Sequence, residues 1–170
     1  MSRLLDFYRG SSPDVEGRTH QEILDWPDDD LEMVHDYIQW LFPLPEPSQY
    51  NPDAPILTPT DLTAFRSDPA LRANLRKSFD RILIFLGLTL VGTEVANGPN
   101  FQQRALDIWA APNHNWLRVT RILRSLSLLG LGSEAAALLK WLDATYSSRR
   151  FPITVETFQY WEGAINATEV

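Results

Sequence analysis

Two stretches of this 170-residue chain concentrate the side chains that could bind a ligand or move a proton. The first holds His35, Asp36, Gln39 and Trp40, in a run from His35 to Leu44 whose apolar residues recur at helical spacing until Pro43 stops it. His35 and Gln39 stand four apart, as do Asp36 and Trp40, so a continuous helix would put each pair on one face. Leu31, Val34, Ile38, Leu41 and Phe42 would form the buried side, with His35 at its border. A histidine there either hydrogen-bonds nearby backbone or contacts a ligand, and the structural role is the commoner one. The second stretch is His114, Asn115, Arg118 and Arg121, one stripe opening a later helix. Guanidinium groups grip carboxylates in a fork, and the unpaired N–H groups of a helix start also favour negative charge. That pattern suits an anion or carboxylate pocket. It equally suits ion pairs that tie acidic segments to the body of the protein.

Catalytic patterns are scarce. The chain has no cysteine, which excludes thiolate metal sites and cysteine nucleophiles. No phosphate loop with its lysine, no His-Glu-x-x-His and no nucleophile elbow occurs. A metal needs three or four ligands, and of only three histidines His20 falls in a loop with no partner at ligand spacing. No metal and no cofactor are therefore expected. His35 and His114 could converge with Asp36 as the acid–base pair of a small hydrolase, which spacing alone does not decide. Among the six tryptophans, too many for all to be fully buried, Trp116 beside Asn115 would either lid a groove or cover the adjacent helix.

Charge is distributed unevenly. Residues 1–60 carry twelve acids against three arginines, and residues 61–150 carry twelve basic residues against seven acids. Ion pairing between the two parts is the simplest expectation, an acid of the Asp28–Asp36 stretch, with Asp36 as first choice, meeting Arg118 or Arg121. A nucleic-acid binder would need Arg72, Arg76, Lys77 and Arg81 to continue the Arg118–Arg124 surface as one basic stripe. A sequence pI near 4.9 makes nucleic acid an unlikely partner. The longest apolar run, residues 82–91, is too short to span a bilayer, and no signal-peptide core opens the chain, so a cytoplasmic, non-spanning protein is expected.

The elements that must position these residues read as helices. Leu4, Leu5 and Tyr8 suggest a first helix ending at Gly10, and a later one runs from Pro27 or Asp28 to about Phe42. Six prolines between Pro43 and Pro59 forbid regular helix, so residues 43–59 should form an extended strap anchored by Leu44, Tyr50, Ile56 and Leu57. Thr58-Pro59-Thr60-Asp61 and Asp68-Pro69 place caps before two further helices. The second of these carries Leu71, Leu75, Phe79, Ile82 and Leu86 on one stripe, with a loop at Gly92 and Gly98-Pro99. A short helix over 101–109 follows. Asn113 and Ser133 cap two more helices, and Thr154 opens the last. The expected fold class is all-α: a single helical domain over 1–170, of about six to eight helices, with the proline-rich strap.

Several strings, in order, resemble the opioid growth factor receptor family. They are Phe7-Tyr8-Arg9, the His35–Leu44 run continued by Leu44-Pro45-Glu46-Pro47-Ser48, Leu57-Thr58, Phe65, Leu86-Gly87-Leu88, Asn100-Phe101 with Arg104, and His114-Asn115 through Leu131. The resemblance covers about Phe7 to Leu131 and weakly to Arg150, and a chain this short looks like a stand-alone microbial relative. It implies a helical domain and, from the family's known binding of enkephalin, a receptor-like module for a short peptide or small anionic ligand. Residues His35, Asp36, Gln39, Trp40, Arg104, His114, Asn115, Arg118 and Arg121 would be the ligand-binding set, with no catalytic residue. A small hydrolase or a structural protein-interaction domain are the alternatives.

Overall fold

The computed structural model describes residues 2–166. Two compact units divide between Ser78 and Phe79, inside one long helix. Among the described residues there are ten helices and one two-stranded hairpin, so the architecture is mostly helical rather than all-α, and six to eight helices was too low a count.

The first unit opens with α1 (Arg3–Arg9), which buries Leu4, Leu5, Phe7 and Tyr8 and ends where Gly10 adopts φ 77°. A side chain rarely tolerates that left-handed turn, which frees the Gly10 N–H to close the helix end. The next helix, α2 (His20–Leu24), is capped by Thr19 and Glu22 in a reciprocal box. The helix expected over residues 28–42 is two helices, α3 (Asp28–Met33) and α4 (Ile38–Leu41). Val34, β-branched and extended at ψ 132°, ends α3. The Leu31 carbonyl is taken by the Tyr37 hydroxyl at 2.8 Å, where a continuous helix would give it the His35 N–H. In exchange the Tyr37 ring becomes fully buried.

The strap is held by a parallel bridge between Leu44 and Ile56, with the Leu57 N–H donating to the Leu44 carbonyl at 3.0 Å. Of its four expected anchors, Leu57 is buried, but Tyr50 is 81% and Ile56 51% exposed. Bridging main chain, rather than a row of apolar anchors, keeps the strap in place. Thr58 and Asp61 form the capping box of α5 (Pro59–Ser67), and Asp68 caps α6 (Pro69–Phe85) through the Ala70 N–H. Leu71 and Leu75 of α6 are buried in this unit.

In the second unit α6 ends at Phe85 and the chain enters β1 (Leu88–Val91) and β2 (Glu94–Asn97), an antiparallel hairpin where a loop was expected. Val91 pairs with Glu94 across the two-residue turn Gly92-Thr93, with Gly92 at φ 62°. Four helices follow: α7 (Phe101–Ile108), α8 (His114–Leu128), α9 (Gly132–Ser148) and α10 (Val155–Asn166). Both α9 and α10 pack on α8, and α9 also covers β2. Asn113 caps α8 as its position suggests, accepting from Asn115 N–H at 2.9 Å. By contrast α9 starts one residue before Ser133, with no side-chain cap. The α8 stripe Val119, Ile122, Leu123, Leu126 and Leu129 is buried throughout.

Candidate functional site

Each of the four tryptophans of the second unit has a hydrogen-bond acceptor for its indole N–H. The indole N–H of Trp109 donates to the Leu86 carbonyl, Trp116 to Ile108, Trp161 to Trp116 and Trp141 to the Asn97 side chain. Trp116 is therefore a packed residue, edge-on to Trp161 at 6.1 Å, and not a lid.

On the α8 stripe, Asn115 is fully buried and accepts from the Arg118 guanidinium at 3.2 Å. Arg118 is itself buried, so these two form the inner layer. His114 and Arg121 are half-buried, and between them Leu117 is 62% exposed. Positions 114, 117 and 121 fall on one helix face, so an imidazole, an apolar side chain and a guanidinium stand in series. Arg104, taken from the resemblance, has a different setting. Its Nε donates to the Phe85 carbonyl at 2.7 Å, closing the end of α6, while the guanidinium lies over the Phe85 ring at 4.7 Å. It also pairs with Asp107 at 3.3 Å. A cation at a helix C-terminus offsets the dipole there.

The first unit places the other four candidates around the break between α3 and α4. His35 is exposed and Gln39 buried, so the pair does not share an open face; Gln39 donates to the His35 carbonyl at 3.3 Å. Trp40 is buried against Phe7, with ring centroids 5.2 Å apart. Asp36 meets Arg18 at 2.7 Å, a cation of its own unit, where the charge distribution had suggested Arg118 or Arg121. Asn51, from the strap, donates to the Asp36 carbonyl and to Gln39 Oε1, both at 3.4 Å.

Arg18 and its neighbours were not singled out in the sequence. Asp14, with no exposed surface, accepts from the Glu16 and Arg18 backbone N–H groups and from the Arg18 side chain at 2.8 Å. Burial works against the Arg18 cation, but the hydrogen bonds and charges of Asp14 and Asp36 outweigh it and raise its pKa. The guanidinium also lies 5.4 Å over Trp26, which packs edge-on against Tyr37. The pair spans a turn rather than a helix, and the available signal was the Asp-x-x-Gly pattern of Asp14 and Gly17, in which Asp14 accepts from the Glu16 N–H and Gly17 takes φ 81°.

His20 was also misjudged. It is the first residue of α2, buried, with Nε2 2.7 Å from the Ser78 hydroxyl. Phe7 and Tyr8 enclose its ring at 5.6 and 4.9 Å, and the Tyr8 hydroxyl donates to the Leu41 carbonyl. Burial first, and the Lys77 charge second, lower the His20 pKa to about 4. Ser78 sits on the apolar stripe of α6, and a serine there needs a polar partner.

Among the described residues no group of three or more His, Cys, Asp or Glu could hold a metal ion, and no helix is long and apolar enough to cross a membrane. Along α6 the basic stripe that a nucleic-acid binder would need is interrupted: Asp80 lies between Lys77 and Arg81 in sequence, and Arg72 turns back to the Phe65 and Arg66 carbonyls.

These elements define a mostly helical protein with a basic helix, α8, that carries its polar side chains in two layers. A family model described as the opioid growth factor receptor (OGFr) conserved region matches residues 2–169, and the chain belongs to that family. The opioid growth factor receptor of Homo sapiens is 38% identical over 158 residues, 87% of this chain and 23% of that protein. The receptor of Mus musculus is 39% identical over 133 residues, 75% of this chain and 21% of that protein. Opioid growth factor receptor-like protein 1 of Mus musculus is 35% identical over 144 residues, 81% of this chain and 31% of that protein. The chain thus spans between about a fifth and a third of the length of the curated relatives it matches. No solved structure matches it.

Proposed function

We propose that this chain is a receptor-like binding module for a short peptide or small anionic ligand, and that α8 carries the contact. One observation supports the reading most: Leu117 stands exposed between His114 and Arg121, over the buried Asn115–Arg118 pair. A peptide presenting a carboxylate and an apolar side chain about one helical turn apart would match that series. Arg121 would take the carboxylate, His114 a polar group, and Leu117 the apolar side chain, with Asn115 and Arg118 holding the inner layer. The relatives that share this region are named as receptors for a growth factor, which agrees with a ligand-binding role. Within the same reading, His35 and Asp36 form a separate polar surface at the α3–α4 break, with Gln39 and Trp40 buried beneath it, while Arg104 supports the end of α6 in the second unit. Cytoplasmic location belongs to the proposal as well.

Substitution of two residues tests the α8 site. Arg121→Met should weaken binding of a pentapeptide with a free C-terminal carboxylate by about tenfold, or roughly 1.4 kcal/mol, the worth of one charge-assisted contact. Leu117→Asp should weaken it at least as much, by placing like charge against the ligand. Calorimetric titration reads both. Unchanged affinity in the two variants, with the fold intact by circular dichroism, would remove α8 as the contact.

A further inference from the structure

The chain leaves α9 through Arg149, the one non-glycine residue with positive φ among the described residues. At φ 56° it caps the helix in a left-handed turn that glycine usually supplies, its N–H donating to the Tyr146 carbonyl. An L-residue held there is strained, so what the turn accomplishes is informative. It lays the next side chain, Arg150, over two aromatic rings. The Arg150 Cζ lies 5.5 Å from the Phe101 centroid and 5.2 Å from that of Phe151. Those rings stand 6.4 Å apart at 70°, so their faces form a corner that closes on the guanidinium. Trp141, tied to the Asn97 side chain, meets Phe101 edge-on at 6.0 Å and backs that wall. Phe101, which opens α7, is 5% exposed, while Arg150 in front of it faces solvent.

Among the described residues the Arg150 guanidinium meets the two rings and no carboxylate or carbonyl. An exposed cation held by ring faces alone is weakly held, so it can be displaced. The corner's own chemistry limits what displaces it. It offers negative ring faces and no hydrogen-bond acceptor. A lysine ammonium, compact and strongly hydrated, would give up water from three N–H donors and gain no acceptor in return. A quaternary ammonium has no N–H to satisfy and is the class of cation that aromatic cages recognise. The formal net charge of −7 also favours the approach of a cation.

We propose that the Phe101–Phe151 corner is a binding site for a quaternary ammonium group, and that Arg150 is the built-in occupant which that group replaces. The ammonium belongs either to a trimethylated lysine side chain or to a free choline-like head group. This proposal is independent of the α8 reading, and each can fail alone.

The test titrates the full chain with N-acetyl-trimethyllysine methylamide, with choline, and with a neutral analogue of the first in which carbon replaces the ammonium nitrogen. Proton spectra follow the methyl signal, which ring faces shift upfield. The expected result is a saturable shift at millimolar ligand, with the neutral analogue bound about tenfold more weakly. Arg150→Ala should tighten binding of the cation about tenfold by removing its competitor, and Phe151→Leu should weaken it by a similar factor. If the Phe151 variant does not fold, the neutral analogue still decides. Tighter binding of the lysine derivative than of choline assigns the site to a modified side chain, and the reverse or equality assigns it to a free head group. Equal affinity for the cation and its neutral analogue would overturn the proposal. So would no gain from Arg150→Ala, or no binding to either the native chain or that variant.

Discussion

Stability of the first unit is expected to fall by about 3 kcal/mol as the pH drops from 6.5 to about 4, and His20 is the group responsible. Its folded pKa lies near 4, below the value of 6.5 expected when the chain is unfolded. Between those values the unfolded chain binds a proton that the folded one refuses, so acid favours unfolding. The contribution is fully present above pH 6.5 and is lost progressively toward pH 4. The geometry explains the refusal: an imidazolium at this position would lie buried between Phe7 and Tyr8, with Ser78 as its hydrogen-bond partner and the Lys77 charge nearby. His20→Gln retains an amide able to reach Ser78 and has nothing to titrate. Urea unfolding at pH 7, 6, 5 and 4 should give a steeper decline for the native chain than for the variant, the gap opening below pH 6.5. Parallel curves would show that carboxylates alone govern the acid response.

Gly87→Ala is expected to cost about 3 kcal/mol, or a fall of roughly 6–12 °C in Tm. Two effects add. Gly87 has φ 82°, which costs an L-residue roughly 1–2 kcal/mol. A methyl group there would also lie 2.9 Å from Arg104 Cβ and 3.2 Å from Phe101 Cα. Neither atom is the far end of a flexible chain, so α7 must shift, and with it the Arg104 bond to the Phe85 carbonyl. Differential scanning calorimetry measures the loss. A change under about 1 kcal/mol would mean that α7 yields easily and that the close approach at Gly87 is not a constraint.

Those two residues also mark where the sequence was and was not legible. Helical periodicity correctly placed Leu71, Leu75, Phe79 and Ile82 on one buried stripe of α6, and Val119 through Leu129 on another of α8. Local capping chemistry at Thr58-Asp61, Asp68 and Asn113 was equally readable, because each cap acts within three residues of itself. The failures were long-range. The break after Met33 depends on the Tyr37 hydroxyl reaching back to Leu31, and periodicity carries no mark of that bond. His20 looked like a loop residue because its partner, Ser78, is fifty-eight positions away. The hairpin had a local signal, Gly92-Thr93 between apolar runs, but four-residue strands following a long helix are masked by the helix pattern.

The candidate site divides in the same way. The stripe of His114, Leu117 and Arg121 follows from spacing alone. That Asn115 and Arg118 are buried and bonded to each other, and that Arg104 closes α6, required the packing of the second unit. Asp36 was read from the charge asymmetry as a partner for distant arginines. Arg18, eighteen positions earlier, meets it instead, and Asp14 fixes the geometry of that guanidinium.

The most direct measurement of the central claim keeps the protein unaltered and changes the ligand. Enkephalin with its free C-terminal carboxylate and the same peptide as the C-terminal amide would be titrated by calorimetry into the chain at low and at moderate salt. The account predicts saturable binding of the free acid, at least about tenfold weaker binding of the amide, and a difference that shrinks as salt screens the Arg121 charge. Equal affinity for acid and amide, or no binding of either at millimolar peptide, would contradict it.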